Sequence, residues 1–161
     1  MSLTSTSGAG TLAERGGGWL FARYLFHHLG GEAVLGRMTE STRLGAETVV
    51  AATGESWPRT FSDFALAVFL DGIGSPLPVR FGYPGMDLRT DLAGVNGGYP
   101  LDPERLASET FSRAGILSPA SAGYFVLASD SPTDLAITFV GENGEPPSAD
   151  SALQLRLVRY R

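Results

Sequence analysis

The 161-residue chain has no cysteine, no lysine, only two histidines, and no apolar run near the roughly 20 residues that a membrane-spanning helix needs. Without cysteine there are no disulfides, no thiolate nucleophile, no Cys-ligated zinc and no iron–sulfur cluster, although the compartment stays open. All twelve basic residues are Arg; GC-rich codon bias explains this more simply than a selected preference for planar guanidinium contacts. Against seventeen acidic residues they give a net charge of −5, and they form no basic cluster, which argues against a nucleic-acid partner. Charged residues are 18% of the chain and hydrophobic ones 43%, so whole-chain disorder is excluded. One domain, or two small ones sharing a seam, is expected. Met1 to Ser7 lacks the basic-then-apolar pattern of a signal peptide.

What is present reads as α+β: about four helices followed by a small antiparallel β domain. Residues 1–10 form a disordered or vector-derived lead-in, 11–72 a helical subdomain, 73–108 a Gly/Pro-rich connection and 109–161 the β domain. The first helix runs from about Thr11 to Leu29 and stops at Gly30-Gly31. Leu20, Phe21, Tyr24, Leu25 and His28 share one face, while Arg15, Trp19, Arg23 and His27 form a stripe on another. Further helices are expected over about Glu32–Ser41, Ala46–Thr53 with Gly54 as cap, and Phe61–Asp71, where Thr60 and Asp63 have capping-box spacing. Gly and Pro then dominate to Pro100, which reads as irregular chain, with a helical turn near Asp102–Ser108. Alternation predicts strands near Thr110–Leu117, Tyr124–Ala128, Leu135–Phe139 and Leu153–Val158. Asp130-Ser131-Pro132 and Asn143-Gly144 supply turns.

The motifs for chemistry are sparse. Gly8-Ala9-Gly10-Thr11-Leu12-Ala13 fits a dinucleotide fingerprint by letter, but no apolar strand precedes it, so a flexible lead-in to a helix is the better reading. Gly16-Gly17-Gly18 inside a helical pattern costs about 1 kcal/mol per residue relative to Ala, which close helix–helix contact or approach of a ligand would offset. His27 and His28 point about 100° apart on a helix and cannot jointly hold one ion; a structural or surface role is expected for both. There is no His-Glu-x-x-His and no Gly-x-Ser-x-Gly. Asp87/Asp91 and Asp102/Glu104 are carboxylate pairs in or beside loops and read as solvated acids. Arg15, Trp19 and Arg23 form either a cation–π stack or a stripe that covers part of Trp19.

The run Ala13-Glu14-Arg15-Gly16-Gly17-Gly18-Trp19-Leu20-Phe21-Ala22-Arg23-Tyr24-Leu25, followed by His27-His28-Leu29-Gly30-Gly31, resembles a helix of gluzincin-type zinc metallopeptidases. There the helix follows the zinc-binding region with the pattern Tyr-x-Lys/Arg-Gly-x-x-x-Leu-Phe-x-x-Leu and ends at a Gly. A later helix of that clan is similar to Phe61–Leu70, and secreted bacterial members of the hyicolysin and immune-inhibitor types carry a Gly-Ala-Trp-Leu-Phe-x-Arg-Tyr-Leu segment that resembles Gly17 to Leu25. The resemblance covers about residues 11–72. It implies the C-terminal portion of a secreted or cell-envelope peptidase whose zinc ligands lie before Met1. Where aminopeptidase-like members carry a catalytic tyrosine, this chain has Ala13. No catalytic, cofactor-binding or metal-binding residue is therefore assigned here, and zinc is expected only in the full-length protein. The implied partners are the N-terminal catalytic segment of the same polypeptide and a peptide or protein substrate. The bared face near Gly16 to Tyr24 predicts self-association of the fragment. The alternative is a non-enzymatic helical-plus-β binding or accessory module of a cell-surface protein.

Overall fold

The computed structural model describes residues 11–74, 77–95, 99, 101, 103–106, 112–127 and 136–159. It is a mixed α and β structure and mostly helical. Helices α1 (Leu12–Leu29), α2 (Gly31–Glu40), α3 (Gly45–Thr53) and α4 (Trp57–Leu70) follow in order, with a short α5 (Leu88–Asp91) after a 3₁₀ turn at Val79–Phe81. Strands β1 (Glu104–Leu106) and β2 (Phe125–Leu127) form a two-stranded sheet.

Local chemistry sets the helix ends. Thr11 caps α1 in a reciprocal box: its hydroxyl accepts from the Glu14 amide, and Glu14 accepts from the Thr11 amide at 2.7 Å. The α1–α2 corner turns at Gly30, whose φ of +128° no side chain adopts readily. A Cβ there would also sit 2.9 Å from Val34 Cγ2. Arg37 Nε reaches from α2 to the Ala52 carbonyl near the end of α3 at 2.8 Å. The expected cap at Thr60 is a correction. Helix α4 begins four residues earlier, with Ser56 at the cap and Pro58 in the first turn, and Thr60 is an interior, buried residue. Proline fits a first turn because its missing N–H would have no partner there.

The main core joins Phe21, Tyr24 and Leu25 of α1 to Val34, Val49, Ala52, Phe64, Ala67 and Val68, closed by Tyr83 and Leu88 from the loop beyond α4. Phe21 meets Phe64 edge-on at 5.0 Å between ring centroids, and Tyr24 meets Phe64 at 5.8 Å. A smaller cluster of Phe69, Leu70 and Phe81 receives Tyr124, Val126 and Val158 from the C-terminal part.

The expected antiparallel β domain is not what the described residues show. Their one ladder is parallel, with Glu104 opposite Phe125 and Leu106 opposite Leu127, and β1 lies inside the 73–108 connection. The helical turn expected over Asp102–Ser108 is strand at 104–106; Asp102 and 107–108 lie outside the described residues. Residues 112–117, 136–140 and 153–158 are in no strand; Thr110, Phe111, Ala128 and Leu135 lie outside the described residues, as does the Asp130-Ser131-Pro132 turn. Alternation marks side chains that suit a half-buried pleat, but a strand exists only through its partner's hydrogen bonds. Leu153, Leu155 and Leu157 are exposed, so no layer of the described residues packs on them. The Gly72–Pro100 segment was expected to be irregular and instead holds the 3₁₀ turn and α5.

Candidate functional site

The fold spreads the sequence candidates apart. Residues 8–10, with the start of the dinucleotide-like run, lie outside the described residues. The His27 and His28 rings are 6.4 Å apart between centroids. His28 Nε2 lies 2.9 Å from the Gly82 carbonyl oxygen, which can only accept, so this nitrogen carries a proton. His27 has its pKa lowered by desolvation, with Arg23 and His28 adding to it. Among the described residues no group of three or more His, Asp or Glu is placed to hold a metal ion.

The carboxylates have structural duties. Asp87 caps α5, accepting from the amides of Arg89 at 3.0 Å and Thr90 at 2.9 Å, which holds its carboxyl below the usual range. Asp91 accepts from the Asp87 amide at 3.0 Å. Glu104 pairs with Arg113, whose hydrogen bonds lower the carboxyl pKa; Asp102 lies outside the described residues. On the outer face of α1, the Arg23 guanidinium stands 5.6 Å from the Trp19 ring centroid, so the cation–π arrangement is present.

Sequence reasoning missed Asp71. It is buried at the end of α4 and takes hydrogen bonds from the amides of Tyr83 (2.8 Å) and Leu88 (2.7 Å), fastening the loop and α5 onto α4. Arg89 returns the contact, donating to the carbonyls of Asp71 and Phe69 at 3.1 and 2.6 Å. At Gly72, with φ +71°, a Cβ would fall 2.3 Å from Asp87 Oδ1, so only glycine fits. The available signal was an Asp-Gly pair at a helix end, followed by loop amides in need of acceptors.

A cleft of about 210 Å³ with charged groups in its lining lies between α1, α4 and the Val79–Phe81 turn. Helix α1 contributes Tyr24 and His28; α4 contributes Arg59, Thr60 and Asp63; Arg80 comes from the turn. Glu55 and Arg59 pair at 3.1 Å across one turn. Burial first, and the Asp63 carboxylate second, push the Tyr24 phenol up to about 12, so it stays a hydrogen-bond donor at neutral pH. The sequence offered no marker for this cleft because its residues come from three segments.

No family model, curated protein or solved structure matches the chain.

Proposed function

We propose that this chain is the C-terminal portion of a larger secreted or cell-envelope zinc metallopeptidase of the gluzincin type, inactive alone, with α1–α4 forming part of its lower catalytic subdomain. The observation that supports this best is the outer side of α1. Phe21, Tyr24 and Leu25 point into the core, while Trp19 and Phe26 on the far side are 52% and 38% exposed. A Cβ at Gly16 or Gly18 would meet nothing within 4 Å among the described residues. Interior helical glycine costs about 1 kcal/mol relative to alanine. The helix contact expected to offset that cost at these two positions is not made by this chain's own described residues. A metal-bearing segment of the same polypeptide, packed over Gly16, Gly18 and Trp19, would make it. That segment would bring the zinc, its ligands and the glutamate base. A fragment lacking the segment would self-associate through the same face.

The test is the longer protein. The coding sequence ahead of Ser2 is expected to encode His-Glu-x-x-His in frame, and the full polypeptide to hydrolyse peptides in a chelator-sensitive way. A native gene that starts here and yields no such activity would overturn the reading in favour of an accessory binding module.

A further inference from the structure

We propose that the cleft between α1, α4 and the Val79–Phe81 turn binds a small zwitterion of the amino-acid class, its carboxylate on Arg80 and Thr60 and its ammonium toward Asp63. The cleft is made wholly of this chain's residues, so the inference stands apart from the peptidase reading.

Three observations converge. First, the Thr60 hydroxyl oxygen is buried with no hydrogen-bond partner among the described residues, on a side chain that lines the cleft and is 3% exposed. Leaving such a group unmatched is unfavourable, and native structures generally answer it with water or a ligand. Second, Arg80 pairs with no carboxylate among the described residues. Its guanidinium lies 4.7 Å from the centroid of the Phe81 ring, which positions the fork without using its N–H donors. Third, the charges of the lining balance: Arg59 is paired with Glu55, which leaves Arg80 as the unpaired cation of the cleft and Asp63 as its loosely paired anion. A simple anion would satisfy Arg80 but meet the Asp63 carboxylate, and a simple cation would satisfy Asp63 but meet the Arg80 guanidinium. A neutral molecule with separated charges meets both. Asp63, at 4.0 Å from Arg156, is only loosely paired and keeps acceptor capacity. The volume equals that of about seven waters at ~30 Å³ each, enough for a small amino acid.

Titration of the whole chain with alanine, followed by amide chemical shifts, is the test, with acetate and methylammonium as single-charge controls. Alanine is expected to saturate, to shift residues of α1 and α4 around the cleft, and to bind at least about tenfold tighter than either control. Arg80→Gln should weaken it about tenfold or more, the usual loss for a charge-assisted hydrogen bond. Thr60→Val keeps the side-chain shape and should weaken it about threefold without lowering the melting temperature. Equal response to all three probes, or unchanged alanine binding in Arg80→Gln, would overturn the proposal and leave the cleft to water. Arg80 is exposed, so this variant folds and remains decisive if Thr60→Val does not.

Discussion

Residues 12–95 and residues 104–159 have similar apolar fractions and use them to opposite effect. In the first region the helices close on one another, and the apolar side chains they bury come from α1, α2, α3, α4 and the loop pinned by Asp71. In the second, Leu106 is the one fully buried apolar side chain among the described residues, while Ile116, Phe125, Leu155 and Leu157 face outward. What holds the second region is α4. Tyr124 donates to the Ala65 carbonyl at 2.9 Å and stacks on Phe69 at 5.3 Å, and Arg156 donates to Ser62 at 2.9 and 3.1 Å. A helix satisfies its backbone alone and needs only one buried stripe, whereas a strand needs a neighbour for both its backbone and its face. The helical part therefore holds most of the buried apolar side chains, and the described C-terminal residues pack on α4.

The sharpest way to break that contrast is to truncate a side chain in each region. Phe64→Ala removes a ring in contact with both Phe21 and Tyr24 and should destabilise the fold by about 3–5 kcal/mol. Leu155→Ala, at a side chain 50% exposed, should change stability by no more than about 0.5 kcal/mol. Urea unfolding followed by circular dichroism separates the two, and comparable losses would mean that the tail has a core of its own.

Next in size is the joint that links the helices to the loop. Asp71→Ala leaves the amides of Tyr83 and Leu88 without an acceptor in a buried place, an expected loss of about 2–4 kcal/mol. Amide exchange at Tyr83 and Leu88 should accelerate before exchange in α1 does. Uniform acceleration would show that the loop and the helices open as one unit.

How far each region was legible follows the same division. The 3.6-residue spacing placed Phe21, Tyr24 and Leu25 on one face and Trp19 on another, and the structure buries and exposes them accordingly. Gly30 and Gly54 were readable as stops, since their backbone angles are hostile to other residues. The start of α4 was misread because Thr60-x-x-Asp63 has the right letters for a cap, while Ser56 followed by Pro58 has the better chemistry for a first turn. Asp71 and the Arg80 cleft were invisible because their partners are distant in sequence. The tail misled because the alternation of Leu153, Leu155 and Leu157 describes what would suit a sheet and is silent on whether a neighbouring strand arrives.

A smaller effect probes the tether itself. Tyr124→Phe deletes the hydrogen bond to Ala65 and should cost about 0.5–1.5 kcal/mol. Limited proteolysis is expected to cut residues 112–127 sooner while helix content stays constant. Alkali does the same without mutation. Burial pushes the phenols of Tyr24 and Tyr124 up to about 12 and raises those of Tyr83 and Tyr99 as well. Unfolded tyrosine ionises near 10. The folded chain holds these protons more tightly, so the stabilisation is whole below about pH 10 and disappears as pH rises through about 12. Stability that stays flat from about pH 9 to 12 would mean that these hydroxyls meet water.

The smallest expected effect runs in the stabilising direction. Gly16→Ala and Gly18→Ala each add a methyl group to open space and remove a helix-weakening residue, so each should stabilise the isolated chain by about 0.5–1 kcal/mol. In the longer polypeptide that the proposed function calls for, the sign should reverse, because a segment packed against the bare backbone would collide with the new methyl group. Differential melting of the same two substitutions in the short and long chains reads this directly. Gain in one and loss in the other locates a partner on the outer face of α1. Gain in both would leave these glycines without a contact to explain them and remove the support that face gives to the peptidase reading.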